Sequence, residues 1–164
     1  MNKELSYLKN IKLIITDVDG VLTDGSLYYS RDNLELKRFN IKDGMGAILL
    51  REAGIKCGII TTDKPDFVKI RAERMKLDFY YTEVWDKASK LDEICSEYGI
   101  SRNDIAFIGD DINDIGIIKE VGFTAAPADA VDKVLKLVDY ICKRNGGHGA
   151  FRELVDLILE SREI

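Results

Sequence analysis

The sequence of 164 residues has little cysteine and little proline, and it has no long apolar run. Its three cysteines, Cys57, Cys95 and Cys142, form no CxxC pair and are odd in number, which favours a reducing compartment over a secreted disulfide framework. No stretch approaches the roughly 18 uncharged apolar residues of a membrane-spanning helix. A chain of this length buries a core without disulfides or a structural metal, so we expect one compact domain over residues 1–164.

The sequence also lacks an excess of basic side chains. Lysine and arginine total 24 against 29 acidic residues, a formal net charge of −5, whereas proteins that follow a phosphate backbone need a cationic face. We therefore expect no nucleic-acid partner. Residues 1–10 lack the apolar stretch and cleavage site of a signal peptide, which predicts a cytoplasmic protein. The GxxxxGK[ST] motif is absent, which disfavours a P-loop nucleotide enzyme.

Short apolar runs alternate with helical patterns along the chain. Three runs, 12–16, 56–60 and 104–108, have little polar alternation, as is typical of strands covered on both faces. Shorter apolar pieces predict further strands at 79–81, 123–125 and 140–141. Helices are expected over 43–53, 65–76, 87–98, 113–121, 131–138 and 150–160. This alternation predicts a doubly wound parallel α/β sheet of the Rossmann type.

One segment does not follow the alternation of strand and helix. Residues 26–30 and 34–40, joined by a polar turn, predict a β-hairpin inserted after the first strand. A hairpin at this place can cover a site or pair with another subunit. We find no internal repeat and no linker, so no separate cap domain is expected.

Acidic residues follow the first and third buried runs. Asp17 and Asp19 come directly after the first run, and Asp110, Asp111 and Asp114 follow the third. Ligands of open α/β sheets bind beyond the carboxyl ends of the strands, so these carboxylates are expected to meet in one crevice. Crowded carboxylates repel one another, and a Mg²⁺ ion with its preference for oxygen ligands removes that repulsion. The sequence therefore predicts a magnesium site.

A phosphate group bound beside such an ion needs a hydroxyl and a fixed cation. Thr61, at the end of the second run, provides the hydroxyl, and Lys87, at the start of a predicted helix, provides the cation. Thr62 and Lys90 are the alternatives for these two roles. A carboxylate can also accept the phosphoryl group, giving an aspartyl-phosphate that water hydrolyses.

These residues resemble the four ordered motifs of the haloacid dehalogenase superfamily of phosphohydrolases. The motifs are DVDGVLTDG at 17–25, Thr61 after an apolar strand, Lys87, and GDDIND at 109–114. The glycine-rich segment NGGHGAFRE at 145–153 is similar to that of the cap-less branch, which dephosphorylates 3-deoxy-2-keto sugar acids. The resemblance runs from about residue 11 to residue 159 and implies a phosphoric monoester hydrolase.

The resemblance also implies a role for each motif residue. Asp17 would be the nucleophile, and Asp19 the general acid and then the general base. Thr61 and Lys87 would bind the phosphate. Asp17, Asp19 and Asp110 would hold the Mg²⁺ cofactor, with Asp19 contributing its backbone carbonyl.

Some positions depart from the pattern of the branch and bear on the substrate. Thr62 stands where glycine is usual, and His148 stands where arginine is common in the glycine-rich segment. Asp63 resembles an acidic position of the enzymes that act on nine-carbon sugar acids, and Arg71 and Arg74 match their basic substrate-side positions. The substrate is therefore expected to be 3-deoxy-octulosonate 8-phosphate or a nonulosonate 9-phosphate, with the nine-carbon compound favoured.

The resemblance further implies a homotetramer. Hairpins around residues 28–39 would build it, and the glycine-rich segment would reach an active site.

Two rival functions are weighed against the phosphatase. The first is a receiver-like module that accepts a phosphoryl group and keeps it. Receivers have adjacent acidic residues after the first strand, whereas in this sequence the DxD pair follows the first strand and the adjacent Asp-Asp pair follows the third. The second is a non-catalytic assembly module of the same fold. Turnover of acetyl phosphate separates a phosphatase from a receiver.

Overall fold

The computed structural model describes residues 5–162, and these form a six-stranded parallel sheet flanked by helices. The strand order is β5-β4-β1-β6-β7-β8, which confirms the predicted α/β class. The strands are β1 (Leu13–Thr16), β2 (Tyr28–Tyr29), β3 (Leu34–Leu36), β4 (Lys56–Ile60), β5 (Phe79–Tyr81), β6 (Ile105–Ile108), β7 (Phe123–Ala126) and β8 (Tyr140–Ile141). The expected domain range also includes residues 1–4 and 163–164, which lie outside the described residues.

Six helices connect or flank these strands in the described part of the chain. They are α1 (Ile41–Glu52), α2 (Pro65–Met75), α3 (Leu91–Tyr98), α4 (Ile115–Ile118), α5 (Asp132–Leu135) and α6 (Ala150–Glu160). The predicted helices at 43–53, 65–76 and 150–160 are confirmed within two residues. The other three are shorter than predicted. In two of them a 3-10 turn, Lys87–Lys90 or Ile112–Asp114, takes up the first residues.

The sheet separates two hydrophobic layers because successive side chains of a strand point to opposite faces. Ile14 of β1 packs in the layer that contains α1, α2 and α6. Leu13 and Ile15 pack in the layer formed with α3, α4 and α5. All four residues of β1 are buried, which explains its uninterrupted apolar sequence.

The predicted hairpin forms, but it is shorter than expected. Only Tyr28–Tyr29 and Leu34–Leu36 pair as antiparallel strands, with an isolated bridge between Thr23 and Phe39. The second strand ends early because Lys37 turns towards site carboxylates and Asn40 caps α1, its side chain accepting from the Lys42 amide. A two-stranded ribbon alone is marginally stable, which fits its small extent.

The chain order of the strands fixes where a ligand site can lie. After β1 the chain adds β4 and β5 on one side of it, and then adds β6, β7 and β8 on the other side. The order therefore reverses beside β1, at the position where open α/β sheets bind ligands. Within residues 5–162, no helix has the length and apolar content needed to cross a bilayer.

Asp43, in the first turn of α1, is fully buried against α6. Its Oδ1 accepts a hydrogen bond from the Arg152 amide at 3.1 Å, whereas its Oδ2 has no hydrogen-bond partner among the described residues. Burial raises the pKa of Asp43 to about 6, although the Arg152 amide and nearby arginines oppose the rise. The folded protein therefore keeps a proton on Asp43 between about pH 4 and pH 6, where an unfolded chain has released it.

We expect the free energy of unfolding to depend on pH through Asp43. Rising pH in that window destabilises the fold, because the unfolded state releases the proton first and the folded state must then bury a charge. An asparagine side chain at this position would keep the Oδ1 acceptor without ionising. From pH 4 to pH 7, chemical denaturation should show the wild type losing at most about 3 kcal/mol relative to Asp43→Asn. Parallel stability curves for the two proteins would contradict this assignment.

Candidate active site

A cleft of about 440 Å³ opens at the carboxyl edge of the sheet, beside β1. Asp17 and Asp19 from the end of β1, Thr61 from the end of β4, and Asp110 from the end of β6 all line it. Residues separated by almost a hundred positions therefore meet because parallel strands end at one edge. Lys87 lies beneath the cleft rather than on its surface and is 1% exposed.

Lys87 is buried between two carboxylates. Its Nζ lies 2.9 Å from Oδ2 of Asp17 and 2.5 Å from Oδ1 of Asp114. Burial alone would lower the pKa of Lys87, but Asp17 and Asp114 raise it above its ordinary value and keep the ammonium charged. Asp114 also accepts hydrogen bonds from the Asp110 and Asp111 amides, so it joins the lysine to the loop after β6.

The carboxylates of Asp17 and Asp110 are in an environment that resists negative charge. Burial raises the pKa of Asp17, and Lys87 only partly offsets this effect. Burial also raises the pKa of Asp110 to about 8, with further contributions from Asp17 and Asp114. Asp110 packs directly on Gly20: a Cβ at Gly20 would lie 1.9 Å from its Oδ2, and the backbone φ of +82° also favours glycine.

The charges of this cluster fit a divalent cation. Asp17, Asp110 and Asp114 each place an oxygen within 4.8 Å of the others, as a metal site requires. If all three carboxylates were ionised beside one ammonium, the cluster would carry an excess of two negative charges, which a divalent cation neutralises. Asp17 and Asp110 line the cleft and Asp114 does not, so Asp17 and Asp110 are the members most available to an ion. An all-oxygen donor set of this charge suits Mg²⁺.

The carboxylate of Asp19 belongs to a second cluster. Lys37, which follows β3, donates to both of its oxygens at 2.9 and 2.7 Å and also pairs with Asp63. The Lys37 side chain is 1% exposed. Burial raises the pKa of Asp19 despite these bonds to Lys37. The predicted metal contact through the Asp19 backbone carbonyl stays a prediction. Asp63 pairs with the same lysine and is not among the residues that line the cleft.

Both candidate hydroxyls reach the cleft. Thr61 and Thr62 both line it, but Thr61 is 1% exposed and Thr62 is half-buried. The Thr61 hydroxyl also accepts a hydrogen bond from the Asp63 amide at 3.2 Å, which fixes the loop after β4. The buried position and fixed loop favour Thr61 as the phosphate-binding hydroxyl, as predicted.

The glycine-rich segment packs against the loop that carries Asp17 and Asp19. The Gly147 amide donates to the Val21 carbonyl at 2.9 Å. At Gly146, a Cβ would lie 1.9 Å from the Gly20 carbonyl oxygen, so only glycine allows this approach. His148 is exposed and contacts Arg38 at 3.2 Å. Within one chain, the glycine-rich segment therefore packs against the loop after β1 and supports it.

Arg71 and Arg74 do not line this cleft. Arg71 lies over the Phe39 ring at 5.2 Å and donates to the Asn40 carbonyl at 2.7 Å, so it braces the start of α1. Both arginines border a separate groove between α1 and α2. Their predicted contact with the sugar acid stays a prediction.

Two residues of the site were not found from the sequence. Lys37 lies in a segment that reads as an ordinary hairpin strand, and no motif marks it. Trp85 reads as a core, hairpin or interface residue, yet it lines the cleft and is 76% exposed. Its position two residues before Lys87 is the one sequence signal that could have placed it there.

The fold and the site define a hydrolase of the haloacid dehalogenase type. Residues 62–154, more than half of the chain, match the family model described as haloacid dehalogenase-like hydrolase. The chain belongs to this family, which sets aside the receiver-like and non-catalytic alternatives.

Its named relatives are phosphatases. The chain is 34% identical over 155 residues to 3-deoxy-D-manno-octulosonate 8-phosphate phosphatase KdsC from Haemophilus influenzae, covering 94% of this chain and 86% of the relative. The structure is similar, with a TM-score of 0.93 and 33% identity, to the Moraxella catarrhalis phosphatase of that name in complex with magnesium, phosphate and KDO, over 97% of this chain and 91% of the other.

A third comparison concerns the metal. The cobalt-bound form of the Haemophilus influenzae deoxy-D-mannose-octulosonate 8-phosphate phosphatase matches with a TM-score of 0.92 and 33% identity, over 96% of this chain and 92% of the other. The present protein is accordingly a phosphatase of the haloacid dehalogenase type, and structures similar to it hold divalent metals.

Proposed function

We propose that the protein hydrolyses 3-deoxy-octulosonate 8-phosphate through an aspartyl-phosphate formed on Asp17. The observation that carries this proposal is the convergence of Asp17, Asp110 and Lys87 in one cleft, because a phosphoryl acceptor, a metal ligand and a fixed cation are then adjacent. The similarity to curated phosphatases of this substrate supports the choice of sugar acid.

The chemistry of each step follows from the residues at the cleft. A carboxylate oxygen of Asp17 attacks phosphorus, and the bond between phosphorus and the sugar oxygen breaks. Oδ1 of this carboxylate accepts a hydrogen bond from the Val18 amide at 2.7 Å, and Oδ2 pairs with Nζ of Lys87. Asp19 donates a proton to the departing oxygen and then takes a proton from the water that attacks the aspartyl-phosphate. Inorganic phosphate leaves and Asp17 is regenerated. Lys87 and the Thr61 hydroxyl hold the phosphoryl oxygens throughout.

Mg²⁺ would be held by Asp17, Asp110 and the Asp19 carbonyl, and when bound it neutralises phosphoryl charge and orients the substrate. The close approach of the Asp17, Asp110 and Asp114 carboxylates supports this assignment. Lys37 holds the Asp19 carboxylate through both of its oxygens, apart from that cluster, so proton transfer through Asp19 requires one of these bonds to open.

The proposal is tested by a magnesium-supplemented screen of phosphorylated eight- and nine-carbon keto acids, scored as kcat/KM from phosphate release. We expect the eight-carbon 8-phosphate to be turned over with a kcat/KM of about 10⁴ M⁻¹s⁻¹ or more. Acetyl phosphate serves as a simple substrate without a sugar. Low and equal kcat/KM values for every sugar acid phosphate would contradict the proposed substrate. If acetyl phosphate were hydrolysed in the same assay, the proposed phosphatase chemistry would still hold.

A nine-carbon 9-phosphate is the second candidate, and Asp63 is the observation that favours it. Its carboxylate pairs with Lys37, which also holds the cleft residue Asp19, and a polar group of a longer substrate could meet it there. A higher kcat/KM for the nine-carbon compound in the same screen would select this candidate.

We also propose that the chain acts as a single domain within a homotetramer in the cytoplasm. The hairpin presents exposed apolar side chains, which include Leu27, Tyr28, Tyr29 and Leu36, and Ile41 at the start of α1 is 86% exposed. Exposed apolar residues grouped in this way favour contact with another subunit. Light scattering at micromolar concentration tests the assembly, and a monomeric mass would contradict it.

The Asp110→Asn variant distinguishes the contribution of Asp110 to metal binding from its contribution to stability. The variant replaces a buried carboxyl group, crowded by other carboxylates, with a neutral amide, so we expect its thermal midpoint without metal to equal or exceed that of the wild type. Added Mg²⁺ should stabilise the wild type, by about 2.7 kcal/mol at a hundred times its Kd, and should leave the variant nearly unchanged. Thermal unfolding with and without Mg²⁺ measures both effects. An equal response to Mg²⁺ in the two proteins would remove Asp110 from the proposed ligands.

A further inference from the structure

The rim of the cleft includes two exposed apolar side chains, whereas its floor is built of carboxylates. Trp85 and Ile112 line the same cleft as Asp17 and Thr61, and they are 76% and 62% exposed. Single exposed apolar side chains are common on protein surfaces and need no function. The indole of Trp85 differs because it stands at the entrance of a catalytic cleft that no cap domain covers within residues 5–162.

The loop that carries Trp85 is held in place at both ends. The Glu83 amide donates to the Asp63 carbonyl and the Val84 amide donates to the Thr61 carbonyl, each at 3.0 Å. Glu83 has a φ of +58°, a left-handed conformation that costs energy for a residue with a side chain. Two residues beyond Trp85, the side chain of Lys87 is buried beneath the cleft. The backbone around the indole is therefore restrained by the same groups that build the phosphate site.

The substrate has two chemically different ends. Its phosphate is anionic and would be bound by Lys87, the Thr61 hydroxyl and Mg²⁺, whereas its carbon skeleton presents C–H groups, beside its hydroxyls, that none of these groups recognises. An aromatic ring packs against such a skeleton with a large contact area and little loss of conformational freedom. We propose that Trp85 is a specificity-determining residue of this phosphatase, which packs its indole against the sugar-acid skeleton. This inference rests on the proposed function.

Fluorescence gives a direct test, because the chain has one tryptophan. The Mg²⁺-loaded Asp19→Asn protein, which keeps the proposed metal ligands but lacks the proposed proton donor, is titrated with 3-deoxy-octulosonate 8-phosphate and, separately, with inorganic phosphate, while calorimetry follows binding. The emission should shift on binding of the sugar acid phosphate and should stay unchanged with inorganic phosphate. Saturation by calorimetry without any change in emission would overturn the proposal. If the emission maximum without ligand instead shifted with protein concentration, the indole would lie in a contact between subunits. That result would also overturn the proposal.

Kinetics test the same proposal independently of emission. For Trp85→Ala we expect KM for the sugar acid phosphate to rise about tenfold, with kcat and the hydrolysis of acetyl phosphate changed less than about twofold. Trp85→Phe, which keeps an aromatic ring, should restore most of the affinity. An equal loss on both substrates, or no loss on either, would overturn the role of Trp85 while the wild type still turns over the sugar acid phosphate. A wild type that hydrolyses acetyl phosphate but no sugar acid phosphate would overturn the proposed function itself, and this inference with it.

Discussion

Asp17→Asn is expected to lower kcat for phosphate release by at least about a thousandfold, because the amide keeps the shape of the nucleophile but cannot attack phosphorus. The fold should survive this change. Asp17 is buried, and burial already disfavours its charged form, while Lys87 keeps Asp114 as a partner. Steady-state phosphate release and a thermal unfolding curve, both measured with Mg²⁺, check the two halves of the prediction.

Asp92→Asn is the matched control for this variant. The Asp92 side chain is 86% exposed and pairs with Arg102 on the surface, so its loss should change neither activity nor stability by a measurable amount. Retention of more than about a tenth of wild-type activity by Asp17→Asn would show that another group receives the phosphoryl group. An inactive but unfolded Asp17→Asn would instead contradict the expected stability.

Lys87→Met has the second large expected effect, and it should affect stability as well as activity. The ammonium is the shared partner of Asp17 and Asp114, and both ends of the pair with Asp114 are fully buried. Removing one partner of a buried ion pair leaves uncompensated charge and costs about 3–5 kcal/mol of unfolding free energy. The loss of a fixed cation beside the transferred group should also lower kcat/KM by about a hundredfold or more. Denaturant unfolding and phosphate-release kinetics measure these quantities.

Lys90→Met is the control, one helical turn further along the chain. Lys90 pairs with Glu93 at 3.2 Å near the surface, an arrangement worth about 1 kcal/mol or less. The comparison also decides between the two lysines that the sequence leaves open for phosphate binding. A Lys87→Met protein as stable as the Lys90→Met protein would refute the buried ion pair.

Much of the fold could be predicted because apolar runs and their polar ends are local features of the sequence. The β1, β4 and β6 strands are apolar along most of their length, and each is followed by residues that line the cleft. The short helices were harder to predict, since the apolar pattern at 113–121 does not reveal that Ile112–Asp114 forms a 3-10 turn. There Asp111 and Asp114 form a capping box, which depends on two side chains reaching each other's backbone.

The side-chain contacts within the site were harder to predict than the motifs that supply its residues. Order and spacing placed Asp17, Thr61, Lys87 and Asp110 at one edge, and the structure brings these four together. The order and spacing of the motifs did not predict Lys37. Its pairing with Asp19 joins a hairpin to a strand end and depends on packing between distant segments. They also did not reveal that Asp114 bonds Lys87 and the Asp110 amide at once. Such bridging roles leave no periodic or compositional signal.

The contact between Gly146 and Gly20 has a consequence for how the enzyme matures on the ribosome. The backbone that supports the loop after β1 is synthesised 126 residues after Gly20 of that loop. A nascent chain that already contains the nucleophile therefore lacks the contact that fixes it. Catalytic competence should consequently appear only after the Gly146-Gly147 pair has emerged from the exit tunnel.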